Sequence, residues 1–509
     1  MTRRRLLVGC GVAMAAVVLA GLPASGSAQA DSKLVTDLNA LVHDPSLRGA
    51  SVGLVVRKAD TGEVLYTNEG TARRQPASNM KLVTSAAALE ILGPNHRFTT
   101  SVLTQGSDLY LKGTGDPTVL LANLDDLAAK VAASGTTTVA GKLIADDTWF
   151  DSTRLGTGWA WDDEPYYYSA ETSALTMSPN TDYDAGTAFV SIMPGAPGKA
   201  AVVSMDPPNT HVSIENATIT RGPGLPNTIA VERKHGSNVV RVSGFISQQA
   251  PTTQKLTTVK EPTGYVAALF RDALKKHGVE VVGPTVTGIS TPSDARLVAE
   301  HKSMPLSELL VPFMKLSNNM HAEILVKSVG RAVSGTGTWN AGLAAMGQRL
   351  TGLGIEGQTY LADGSGLSRF NQITPDQLTS LLRTVRGKPW FTTWYNSLPI
   401  AGMSDKLVGG TLRSRMQGTA AANNLRGKTG TLTGISGLSG YVTSADGQPL
   451  VFSMLSNNFI GSAKRIEDLV GVRLAQYRAD ETSEPTSARP SITVPDLPTD
   501  VECSWVKAC

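Results

Sequence analysis

The chain has 509 residues, 46 basic against 43 acidic side chains and 41% apolar residues. That is ample material for buried cores, and it excludes wholesale disorder. Three of the basic side chains are Arg3, Arg4 and Arg5, so the chain beyond residue 30 is formally neutral, which argues against a nucleic-acid partner.

Residues 1–30 join that basic triplet to an apolar stretch, Leu6–Leu22, and a small-residue site, Ala28-Gln29-Ala30. This is the pattern of a secretory signal peptide, so the expected location is outside the cytoplasm, in an extracellular, cell-wall or periplasm-like space. At about 150 residues per domain the rest makes roughly three domains.

After a short helical start, Ala50–Arg57 and Val64–Thr67 read as a hairpin turning at Asp60-Thr61-Gly62. Asn79–Leu92 is apolar nearly all round and stops at Gly93-Pro94, which predicts a buried helix. From residue 96 to 296 short Val/Thr/Ile-rich runs alternate with turn residues, and one helix is evident at Tyr265–His277. This predicts a mostly β insertion, in two domains. Helical patterning returns at Leu306–Val329, Trp339–Leu353 and Pro375–Arg386. A second hairpin, Leu438–Thr443 with Leu450–Leu455, and a helix carrying Ile466, Leu469, Val470, Leu474 and Tyr477 close the pattern. Residues 479–509 form a tail rich in Pro, Ser and Thr. With Cys10 in the leader, Cys503 and Cys509 are left to pair as a disulfide. No cofactor is implied, and none of the seven histidines lies in a metal-ligand spacing.

Three short motifs carry chemistry. Ser78-Asn79-Met80-Lys81 sets a hydroxyl and an amine one turn apart at a helix start, where the amine can act as base for the weakly nucleophilic serine and backbone N–H groups can meet an oxyanion. Ser504-x-x-Lys507 also fits but lies in the tail with no buried helix behind it. Ser317-Asn318-Asn319 interrupts two apolar helical runs and offers a hydroxyl for proton relay and an amide for a substrate amide. Ser178-Pro179-Asn180 and Ser456-Asn457-Asn458 match the same loose pattern, and for Ser178 turn chemistry accounts for it. Lys428-Thr429-Gly430-Thr431, ahead of β-prone residues, suits an anionic terminus docked along a strand edge, with Gly430 permitting close backbone approach.

In this order the three motifs resemble those of penicillin-binding proteins and serine β-lactamases. Gly113-Thr114-Gly115-Asp116-Pro117-Thr118, Asp146-Asp147-Thr148-Trp149-Phe150, Tyr167-Tyr168-Ser169-Ala170, Asp363-Gly364-Ser365-Gly366-Leu367-Ser368-Arg369 and Ser456-Asn457-Asn458 extend the likeness. Together they resemble the D-alanyl-D-alanine carboxypeptidase/endopeptidase family S13, the low-molecular-mass class C penicillin-binding proteins, over nearly all of residues 35–478.

The resemblance implies an α/β (α+β) transpeptidase domain, an antiparallel sheet flanked by helices, from residues 31–95 and 297–478. It implies a serine D-Ala-D-Ala carboxypeptidase or endopeptidase acting on peptidoglycan stem peptides, with β-lactams as covalent inhibitors. Ser78 would attack, Lys81 accept its proton, Ser317 relay a proton under the influence of Lys428, and Asn319 hold the donor amide. Thr429 and Thr431 would meet the terminal carboxylate beside Gly430. Arg369 and Ser365 are further substrate-binding candidates, Arg369 for a diaminopimelate-type anion, and Trp149 or Trp161 are candidate pocket walls. A β-lactamase or esterase using the same dyad, and a catalytically silent wall-binding protein, are the competing readings. No Glu-x-x-Leu-Asn run lies between Asn319 and Lys428 to activate deacylating water, which disfavours the β-lactamase.

Overall fold

The computed structural model describes residues 32–481. The predicted leader and the Cys503–Cys509 pair lie outside the described residues.

Five antiparallel strands form one sheet in the order Arg426–Leu432, Ile435–Thr443, Pro449–Asn457, Ser51–Lys58 and Val64–Asn68. Strands from the two ends of the chain therefore lie side by side, with Ser51 opposite Asn457 and Lys58 opposite Leu450. Alternation along the strands splits the core between the two faces. Val52, Leu54, Val56, Leu438, Phe452 and Met454 pack with the helices Lys33–Val42 and Lys464–Gln476. Tyr441, Val451 and Leu455 point the other way, into a larger core shared with Met80–Leu92, Leu306–Leu316, Asn319–Ser334 and Pro375–Thr384.

Met80–Leu92 crosses the centre of that helical layer. Ten of its thirteen residues are buried, which explains an apolar pattern that runs all round rather than along one stripe. It ends at Gly93, whose φ of +80° only glycine adopts freely.

The inserted segment builds a five-stranded mixed sheet (Thr285–Thr287, Leu143–Asp146, Asp108–Gly113, Thr99–Gln105, Arg296–Lys302) and two three-stranded sheets. Two helices share its core, Leu121–Ala133 and Pro262–Lys276. The first corrects the expectation of a single helix here. Leu124, Leu127, Ala128 and Val131 are spaced for one buried face. The helix starts after Leu120, however, with no Ser, Thr or Asp cap to announce it, and Asn123 reaches back to the Leu120 N–H instead. At the neck of the insertion Leu306 N–H donates to His96 O at 2.8 Å and Ser303 N–H to Phe98 O at 3.0 Å, so entry and exit are adjacent.

Candidate active site

Ser78 lies in a single 3₁₀ turn, Ala77–Asn79, that runs straight into Met80–Leu92. Lys81 is one turn on. Its fully buried Nζ donates to Ser78 Oγ at 2.7 Å, to Asn319 Oδ1 at 2.6 Å and to the Ser365 carbonyl at 3.0 Å. Three chain segments thus meet at one amine.

Ser317 closes the helix Leu306–Leu316 in the left-handed region, φ +62°, and Asn319 opens the next helix. The sharp turn between them places both side chains at the same cleft. Lys428 Nζ donates to Ser317 Oγ at 2.7 Å and to Thr429 O at 2.9 Å, while Asn319 Nδ2 donates to the Tyr168 carbonyl at 2.7 Å.

Lys428 to Thr431 sit on the outermost strand of the sheet. The outer edge of that strand is engaged at its start, where Gly427 N–H donates to Pro399 O and Arg426 bridges Ile400. Beyond that point the strand passes the Ala77–Asn79 turn: a Cβ added to Gly430 would stand 2.8 Å from both the Pro76 carbonyl and the Ser78 amide nitrogen. Only glycine allows this approach, which lays the edge strand against the turn that carries Ser78. Thr429 Oγ1 is hydrogen-bonded to Thr411 Oγ1 at 2.7 Å, and Thr431 is half-buried.

The run 363–369 packs behind Ser78. Gly366, at φ +91°, leaves no room for a Cβ, which would come 1.8 Å from Ala77 O. Ser365 is wholly buried with its Oγ accepting from Leu367 N–H, so its contact with the site is the carbonyl it offers to Lys81. Arg369 lies at the half-exposed rim, donating to Thr433 O at 3.3 Å. It faces Asp163, whose carboxyl is raised by burial and by Asp162, against the lowering effects of the Tyr168 hydroxyl and of Arg369.

Neither tryptophan suggested by the sequence walls this cleft. Trp149 lies under the Arg331 guanidinium, 4.3 Å from its ring, and Trp161 is 76% exposed against His235. Trp159 lies nearer, packed against the clusters that hold Tyr168, Leu367 and Met320, with its Nε1 donating to Asp363 Oδ2 at 2.9 Å. The tyrosine run contributes too: Tyr167 and Tyr168 line a pocket with Ser317, Asn319 and Asp184. Nothing in a backbone carbonyl or an aromatic run marks such roles in a sequence. Asp116 and Asp146, from two of the other resembling motifs, cap turns by accepting from Thr118 and Thr148 N–H groups. Among the described residues no group of three or more His, Cys, Asp or Glu is arranged to hold a metal.

The sequence profile described as the D-Ala-D-Ala carboxypeptidase 3 (S13) family matches residues 34–476. The chain belongs to that family. It is 45% identical to the D-alanyl-D-alanine carboxypeptidase of Actinomadura sp. (strain R39) over 94% of this chain and 90% of that protein. With D-alanyl-D-alanine carboxypeptidase DacB of Haemophilus influenzae it shares 27% identity over 81% and 86% of the two chains. The crystal structure of penicillin-binding protein 4 (dacB) from Haemophilus influenzae superposes with a TM-score of 0.73 at 25% identity, covering 87% of this chain and 99% of that one. A second structure of the same Haemophilus protein, complexed with a novel β-lactam, has a TM-score of 0.68 at 23% identity over 87% and 99% of the chains. The S13 fold is the expected α+β sheet and helix assembly.

Proposed function

We propose that this S13 enzyme is a penicillin-sensitive serine D-Ala-D-Ala carboxypeptidase or endopeptidase acting on peptidoglycan stem peptides. The observation that carries the reading is the Lys81 amine, which bonds the Ser78 hydroxyl and the Asn319 amide within one buried cluster. A serine is a poor nucleophile until a base stands within hydrogen-bond reach, and this one has such a base at 2.7 Å.

Ser78 Oγ attacks the carbonyl of the penultimate D-alanine as its proton passes to Lys81. The tetrahedral oxyanion forms between the backbone N–H groups of Ser78 and Thr431. Collapse breaks the C–N bond, and the Ser317 hydroxyl, held by Lys428, hands a proton to the departing amine. Water then cleaves the acyl ester and frees Ser78. Thr429 and Thr431 receive the terminal carboxylate along the strand edge. A terminal D-alanine as leaving group is the carboxypeptidase reaction, and a cross-linked D-residue is the endopeptidase reaction. A β-lactam enters by the same attack, in keeping with its complex with the Haemophilus relative. The predicted leader supports export of the mature enzyme from the cytoplasm. Among the described residues no helix is long and apolar enough to cross a membrane.

The test is covalent labelling by a fluorescent penicillin followed by intact-mass measurement. Wild-type protein gains one penicilloyl adduct and Ser78→Ala gains none. A fully labelled Ser78→Ala variant removes Ser78 from the mechanism.

A further inference from the structure

Two of the acceptors that orient Lys81, besides Ser78, trace back to one helix. Asn319 Oδ1 comes from the first turn of Asn319–Ser334 directly. The other, the Ser365 carbonyl, belongs to the loop 363–366, and one turn along the same helix face Glu323 grips that loop. Glu323 Oε1 accepts from Ser365 N–H at 2.7 Å. Its Oε2 accepts from Gly364 N–H at 3.0 Å and from Trp339 Nε1 at 2.7 Å. The carboxyl is wholly buried. Gly364 fits tightly on the helix, for an added Cβ would meet Val326 Cγ2 at 2.5 Å and Ala322 O at 2.8 Å.

We propose that Glu323 is a positioning residue for Lys81: by gripping the amides of Gly364 and Ser365 it fixes the Ser365 carbonyl, and so keeps the Lys81 amine aimed at Ser78.

Three N–H donors converge on this side chain, and only a carboxylate, an acceptor with no donor of its own, satisfies all of them. A glutamine of the same size turns an NH₂ group against either Ser365 N–H or the Gly364 and Trp339 pair. Burial without a cationic partner at hydrogen-bond distance is an expensive place for a carboxylate, and its pKa is pushed up to about 7 by that burial and by neighbouring Asp363. Lys327, on the same helix, is close enough to interact with it electrostatically, but that amine is itself bonded to Asp151. Such a costly group is retained where it fixes geometry, and the geometry it fixes ends at the base.

The inference rests on the reading of Lys81 as base, and the experiment separates the two. Acylation by a chromogenic β-lactam is followed under saturation, giving the acylation rate constant and the non-covalent dissociation constant separately. Glu323→Gln and Glu323→Asp, each checked for a folded state by circular dichroism, lower the rate constant by about tenfold or more while the dissociation constant stays within about threefold. Trp339→Phe, which removes only the indole donor, keeps the rate constant within about threefold. A folded Glu323 variant that acylates at the wild-type rate overturns the proposal. So does a dissociation constant that worsens in step with the rate, or a Trp339→Phe loss as large as that of Glu323→Gln. Wild-type protein that fails to acylate overturns instead the function proposed above.

Discussion

Gly430 shows how one residue can decide the spacing of a site. Its missing side chain lets the edge strand lie against Pro76 and Ser78, and a methyl group there would have to displace backbone atoms 2.8 Å away. Gly430→Ala therefore pushes the edge strand away from the Ser78 turn, and so opens the proposed oxyanion pocket. Penicillin acylation should fall by about a hundredfold, with an unfolding penalty of about 1–3 kcal/mol read from urea titration. Glu323 supplies a second prediction at this scale. Its carboxyl, raised from 4.5 to about 7, binds its proton more tightly in the folded chain than in the unfolded one. The resulting stabilisation is complete below the unfolded value and is lost as pH rises through about 7. Urea unfolding at pH 5 and pH 8 should show wild type losing stability relative to Glu323→Gln on going to the higher pH. An unchanged difference would remove the buried proton from the account. The side chains that meet around Lys81 and Lys428 were legible because each motif needs its residue types at fixed spacing. Glu323, Trp159 and the Tyr168 carbonyl were not, since their contribution is made through neighbours that no local pattern names.

Whole elements were read with similar unevenness, and the reason is where their signals lie. The break at Ser317-Asn318-Asn319 stood out because three polar residues separate two apolar runs, and the left-handed Ser317 makes that break a sharp turn. Pro375–Thr384 lies within the helical patterning read at Pro375–Arg386, and in the structure Thr374 and Gln377 form a capping box at its start. Thr374→Ala should cost about 1 kcal/mol in thermal or urea unfolding and leave acylation intact. By contrast Leu121–Ala133 lacked a cap, and Phe391–Ser397 is too short to show a period. The last helix is tied down by charge: Arg415 donates to Asp468 at 2.8 Å and to Glu467 at 3.0 Å, all three buried. Glu467 in turn accepts from Ser436 Oγ, in the strand beside the edge strand. Arg415→Met strands two buried carboxylates, so a loss of about 3–5 kcal/mol is expected in urea unfolding.

Across the molecule, the sequence order of hairpin, helix, long insertion, helices and hairpin correctly implied that both chain ends share one sheet. The insertion residues it offered as pocket walls, Trp149 and Trp161, are not the ones by which the insertion reaches Asn318 and Asn319. Tyr168 O receives Asn319 Nδ2, Asp182 O and Tyr183 O receive Asn318 Nδ2 at 2.6 and 3.1 Å, and His321 Nε2 lies 2.8 Å from Tyr183 O. Backbone carbonyls make every one of these contacts, so side-chain patterns could not reveal them. Replacing residues 97–303 by a short Gly/Ser linker is geometrically simple, because the neck strands already touch. The shortened enzyme should nevertheless lose penicillin labelling by at least about a hundredfold, as Asn318 and Asn319 lose their supports. Full labelling would make the insertion dispensable to catalysis.

That double attachment, at the neck and again at Asn318 and Asn319, constrains descent as well as chemistry. A module joined at one point is free to be exchanged or remodelled by its own rules. One that also braces its host's machinery must keep three carbonyl oxygens where the host requires them, so the two halves of this protein can only diverge in step.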